Sequence, residues 1–303
     1  MNFALNLEYL EAEFYSYAYF GHGLDARLTT GRGRPWWRDR WPQGELPDPA
    51  TSRTTRRRSP RTRSTTSGSF AAALGSAKVS RPAIDIKNSF TAAARAAGLI
   101  GPKQTFDPYA NENNFLLAAF IFEDVGVTAY KGAAPLIDNK TYLDAAAGIL
   151  AVEAYHAGII RTNLYAKDLH YEARQISWAR DSLDGRGNDD WGIGTPDYAN
   201  LTPTDKNAIA FSRTPQRVLN VVYLTDQQRR EGGFFPQGVN GSDQHQRRQR
   251  LTLDKEKVMA TSEVVTQVIG SLIAAMALGR LTWLAVAPNL RTATSTKASP
   301  TRH

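Results

Sequence analysis

The sequence predicts an all-α bundle. Its apolar residues recur at three- and four-residue spacings, two of its apolar stretches are about 20 residues long, and Asn, Gly and Pro punctuate their ends as helix caps and stops. With 303 residues, 42% hydrophobic and 10% aromatic, the chain can bury one large core or two ordinary ones. It has no cysteine. A disulfide framework and a thiolate metal site are therefore excluded, and any metal would need histidine and carboxylate ligands.

The first helix is expected over Phe3–Phe20, where Leu7, Leu10, Phe14, Tyr17 and Ala18 share a face and Gly21-His22-Gly23 stops the pattern. The opening "MNFALNLEYLEAEFY" carries Glu8, Glu11 and Glu13 and no basic leader, which argues against a signal peptide. Helical character returns over Ala83–Gly98, with Ile86, Phe90, Ala93, Ala94 and Ala97 on one side. Asn113 or Asn114 is the expected cap of a helix running to Ala134, and Asp138 or Asn139 of one over Tyr142–Ala166. Both long helices are apolar nearly all round, as central bundle members are. "DSLDGRGNDDWGIGTPDYANLTPTDKN" reads as loop. A short helix follows from Thr214-Pro215 to Tyr223, and "GGFFPQGVNG" closes the fold as a turn-rich segment.

The net charge of +8 sits in two atypical stretches. Arg32–Arg63 holds ten Arg against three acidic residues, and Ser242–His303 holds nine basic against four acidic residues, so the remainder is mildly acidic. The expected organisation is a first bundle helix in 1–30, an Arg/Pro/Ser-rich disordered segment in 31–78, the rest of the bundle in 79–241 and an atypical tail in 242–303. "RRRSPRTR" and its neighbouring Trp residues allow a nucleic-acid or nuclear interaction reading through 32–63, because Arg neutralises phosphate and aromatics stack on bases. That reading is the weaker one. A membrane anchor in the tail is weaker still, since Val264–Gly279 is only 16 residues long before Arg280 interrupts it.

In "GILAVEAYHAGIIRTNLY", Glu153 and His156 are three apart and so share a helix face, where both can reach one metal ion. A lone pair of this kind is more often a packed His beside a Glu. Two more carboxylates shift the balance: Glu123 within "LLAAFIFEDVGVTAY" and Glu8 within "FALNLEYLEAEFY", each costly among apolar residues unless paired or bound to a cation. Each has a Tyr seven residues later, Tyr15 and Tyr130. One Glu from each of two helices, with a Glu-x-x-His from each of the other two, makes a two-metal site in a four-helix bundle.

"NFALNLEYLEAEFYSYAYFGHGLD", "FDPYANENNFLLAAFIFEDVGVTAYKGAAPLI", "GILAVEAYHAGIIRTNLY" and "GGFFPQGVNG" resemble the ferritin-like desiccation-related proteins of plants. The similarity covers residue 1 to about 30 and 79 to 241. It implies a ferritin-like four-helix bundle, a role in stress or desiccation tolerance, and Glu8, Glu123, Glu153 and His156 as metal ligands, with Glu11 as the substitute on the first helix. The departure is the second helix: no Glu or His lies between Glu45 and Arg81, so one Glu-x-x-His is missing. The expected result is a structural or protective protein rather than a working enzyme, with at most one iron or another divalent metal weakly bound and no other cofactor. Loss of one bundle helix would also expose apolar faces and favour self-association.

One frame disruption would account for the gap. With free choice of synonymous codons, Thr62–Phe70 read from the third base of each codon can spell Glu-Val-Asp-His-Leu-Arg-Gln-Leu, and Pro49–Arg53 in the same shift can spell Arg-Asp-Ile-Ala. Both strings suit an amphipathic helix, the first with a Glu-x-x-His. The transcript across Thr30–Ser80 decides the matter: nucleotides that spell no helix there end the idea.

Overall fold

A computed structural model of the chain describes residues 1–33, 74–185 and 187–241, all within the compact unit Met1–Arg247. The Arg-rich stretch from residue 34 and the tail 242–303 lie outside the described residues, as do the nucleic-acid and membrane-anchor readings placed on them.

Helix α1 spans Asn2–Phe20 and ends at Gly21, whose N–H bonds the Tyr17 carbonyl at 3.0 Å. It buries Leu5, Tyr9, Leu10 and Phe14 and also Glu8, Glu11 and Glu13. Helix α2, Asn88–Ala96, starts five residues later than its apolar pattern does. The reason is Asp85: its carboxylate accepts from the Lys87 and Asn88 N–H groups at 2.8 Å and sets the helix start there. Ile86, Phe90, Ala93, Ala94 and Ala97 are buried as the spacing predicts.

Helix α3, Glu112–Ala133, is capped by Asn111, which accepts from the Asn114 N–H at 2.9 Å. The expected caps, Asn113 and Asn114, lie inside the helix; Asn114 instead donates its side chain to the Asp107 carbonyl. Helix α4, Lys140–Ala166, is capped by Asn139 through Tyr142 N–H. The α3–α4 contact is the most extensive between elements. α3 is a central member, but α4 is not: Tyr155 is 72% and Ile159 50% exposed. By length and composition α4 could cross a bilayer, yet it turns Glu153 and Arg161 inward against α3.

Helix α5, His170–Asp184, has no counterpart among the helices expected from the sequence. Its buried stripe is Ala173, Ile176, Ser177, Arg180 and Asp184, at helical spacing but with polar members that hide it from an apolar pattern. His170 is the first residue of α5. A two-residue antiparallel hairpin, β1 (Gly194–Thr195) with β2 (Tyr198–Ala199), interrupts the following loop. Helix α6, Pro215–Tyr223, follows its Thr214 cap as expected.

The core is strongly aromatic. Phe14 of α1 lies within 5.0–5.7 Å, centroid to centroid, of Tyr15, Phe90, Tyr109, Phe115 and Phe122. Phe234 of the closing segment packs on Phe90 and Phe122 at 5.1 and 5.0 Å. The same segment is fastened by Asn240, whose N–H donates to Asn6 Oδ1 at 2.9 Å and whose side chain donates to the Ser80 carbonyl. Asn6 returns a bond to the Asn240 carbonyl. Buried amides that bond reciprocally in this way fix α1 against the end of the fold.

Candidate metal centre

Glu123 of α3 and Glu153 and His156 of α4 converge. Each offers one ligand atom, and these atoms lie within 4.8 Å of one another. Glu123 is fully buried, Glu153 nearly so, and His156 keeps a partly open edge. His156 Nδ1 is 3.5 Å from Glu123 Oε2. The helical spacing places Glu153 and His156 on one face, and Gly126 makes room for the first of them: a Cβ at Gly126 would stand 2.6 Å from Glu153 Oε2.

Glu8, the fourth residue expected from the sequence, does not belong to that group. It lies buried on α1, where Tyr130 Oη donates to its Oε1 at 2.7 Å. In return Tyr15 of α1 donates to Glu123 Oε1. The Tyr seven residues beyond each Glu therefore serves the Glu of the other helix, and the two crossed pairs require α1 and α3 to run antiparallel. Burial, then the Glu123 carboxylate, holds the Tyr15 phenol well above its usual pKa, so it remains a proton donor. Glu11, the substitute, is also buried on α1. Glu13 is used differently. It pairs with Arg81 and accepts the Leu24 N–H, tying the turn after α1 to the chain that enters α2. His22, as expected, sits in that turn.

The donor set suits a divalent cation. Two carboxylates offset its charge, and imidazole with carboxylate favours iron or manganese over the softer metals that seek thiolate. The second Glu-x-x-His of a two-metal site is absent from the sequence, and the stretch where it would stand lies outside the described residues.

Behind Glu123 lies a second polar cluster, much of it contributed by a stretch whose composition reads as loop. Arg161, Asp124, Arg180, Asp190, Arg213, Asp184, Arg217 and Asp189 form one alternating chain of ion pairs. Arg161 grips Asp124 through Nε at 2.9 Å and Nη2 at 3.0 Å. Its remaining N–H groups go to the carbonyls of Gly192, Asn200 and Trp191. The chain of Arg213 crosses α3 at Gly132, where any side chain would strike the Arg213 backbone. Asp181, Asp184 and Asp189 also stand close enough together to suggest a cation site, but Arg217 already answers two of the three.

The ferritin-like domain family matches residues 1–166. The chain belongs to it. A desiccation-related protein of Craterostigma plantagineum, PCC13-62, is 30% identical over 274 residues, covering 80% of this chain and 82% of its own. A ferritin-like catalase of Nesocodon mauritianus, Nec2, is 28% identical over 264 residues with the same coverage. No solved structure gives a significant match. This ferritin-like protein is thus of the desiccation and stress-related class, and its relatives favour neither the nucleic-acid nor the membrane reading. The expectation that it is not an enzyme is corrected by the second relative, which carries catalase in its name. That expectation rested on the missing Glu-x-x-His of the second helix, which left at most one weakly held metal on Glu8, Glu123, Glu153 and His156. Among the described residues, Glu123 of α3 and Glu153 and His156 of α4 come together.

Proposed function

We propose that this ferritin-like protein holds one redox-active divalent metal, iron foremost, on Glu123, Glu153 and His156, and that its reaction is the disproportionation of hydrogen peroxide. The observation that carries the reading is the convergence of those three ligand atoms within 4.8 Å in a buried seam. The choice of peroxide rests on the catalase relative. The reaction balances without a further reductant: one peroxide loses two electrons and two protons to become dioxygen, and the other gains them to become two waters. When bound, the metal supplies the redox centre through which those electrons pass.

The chain's own residues supply the rest. Tyr15, kept protonated, donates to Glu123 Oε1 and turns Oε2 toward His156. Glu153 is seated against α3 by Gly126. His156, the least buried of the three, forms the side of the site nearest solvent. The test is oxygen evolution from peroxide by protein loaded with Fe(II) or Mn(II). Metal-dependent evolution that Glu153→Gln abolishes is the expected result; equal evolution by the variant, or none from the loaded wild type, contradicts the reading.

Self-association is proposed on a separate observation, the exposed Tyr155 and Ile159 on the outer face of α4. Sedimentation should show a concentration-dependent oligomer that Tyr155→Ser with Ile159→Ser reduces; a wild-type monomer at all concentrations contradicts it.

A further inference from the structure

Three ligands on two helices come together only if the helices keep one register. Glu123 lies on α3, while Glu153 and His156 lie on α4, so a slide of one helix along the other, by the roughly 1.5 Å rise per residue, would part them. Asp124 is the next residue after Glu123, and Arg161 lies five residues beyond His156. Their two-point grip, at 2.9 and 3.0 Å, is directional in a way that apolar packing is not.

Neither partner can drift. Arg161 spends every N–H, two on Asp124 and three on the carbonyls of Trp191, Gly192 and Asn200. Asp124 is held from its other side by Arg180 at 3.1 Å, and Arg180 also donates to the Phe120 carbonyl of the same helix. Beyond Arg180 the ion-pair chain runs through Asp190, Arg213 and Asp184 to Arg217 and Asp189, so α5, α6 and the loop between them brace the joint.

We propose that Asp124 and Arg161 are positioning residues of the metal centre, holding α3 and α4 in the register that brings Glu123 to Glu153 and His156. This rests on the reading that those three residues bind a divalent metal. It connects the segment beyond α4 to the site, because that segment anchors the arginine that sets the ligands.

Co(II) titrated into the full chain and followed by its visible absorption tests the proposal, with circular dichroism to monitor folding. Asp124→Asn should keep its helices, bind Co(II) about 10–100-fold more weakly and shift the bands, as loss of an outer-shell partner does. Arg161→Lys should do the same, because an ammonium keeps the charge but not the fork; it carries the test if Asp124→Asn does not fold. Asp189→Asn, at the far end of the chain, should lower the melting temperature and leave affinity and bands unchanged. Folded Asp124→Asn or Arg161→Lys with wild-type affinity and bands overturns the inference and leaves the metal reading standing. Equal weakening by Asp189→Asn also overturns it, since the effect is then one of general stability. Wild-type protein that binds no Co(II) overturns both.

Discussion

The two buried polar regions beside α3 are built on opposite plans. On one side, four Arg and four Asp alternate, charges cancel, and Arg161 spends every donor it has. On the other, Glu123 and Glu153 meet one imidazole, His156, while Tyr15 donates to Glu123 and Tyr130 to Glu8 of α1. The first set is complete in itself, so its work is mechanical. The second is rich in carboxylate, a donor set that suits a divalent cation. Neighbouring residues of one helix, Glu123 and Asp124, belong one to each plan.

If that contrast is right, breaking the neutral side costs stability most. Arg213→Met leaves Asp184 and Asp190 each short of a buried partner and should cost about 3–5 kcal/mol, read as a fall in the urea midpoint. A change within experimental error would mean that the chain of pairs bears little load. Next comes Gly126→Ala, whose methyl would meet the Glu153 carboxylate. It should cost about 1–3 kcal/mol and reduce metal binding, so one small change reads on both sides of the comparison. Unaltered metal affinity would show that Glu153 is not held where the seam places it.

The smallest expected effect is on the acid side. Burial alone would raise the Asp190 carboxyl, but Arg180 and Arg213 more than offset it and hold it below its ordinary 3.8. The unfolded chain therefore binds the proton more readily, and the stability this pair contributes is present above pH 3.8 and lost as pH falls below it. Glu13 acts in the other sense, since burial raises its carboxyl despite Arg81. Thermal melts should therefore fall more steeply below about pH 4 in the wild type than in Asp190→Asn. Parallel curves would show that Asp190 contributes nothing to the acid limb.

Much of this was legible in the sequence, for identifiable reasons. α1, α3, α4 and α6 announce themselves because their stripes are apolar and their ends carry Gly, Asn or Thr-Pro. Glu123 and Glu153 were visible as charges set among apolar residues, and His156 as the residue three beyond Glu153. α5 was not legible, because its inward face includes Arg180 and Asp184, which look like solvated positions until their partners are known. The brace was hidden for the same reason: Asp189 and Asp190 in "GRGNDDWG" carry the composition of a turn, and nothing local says that Arg180, Arg213 and Arg217 await them. The exposed face of α4 escaped because an all-apolar helix reads as buried on every side.

The most direct test of the metal centre is its stoichiometry: equilibrium dialysis of wild-type protein and Glu153→Gln against Fe(II) or Mn(II), with metal per chain measured by mass spectrometry. A centre built on Glu123, Glu153 and His156 predicts one ion per wild-type chain and its loss in the variant. No ion in the wild type, or the same occupancy in both, would contradict it.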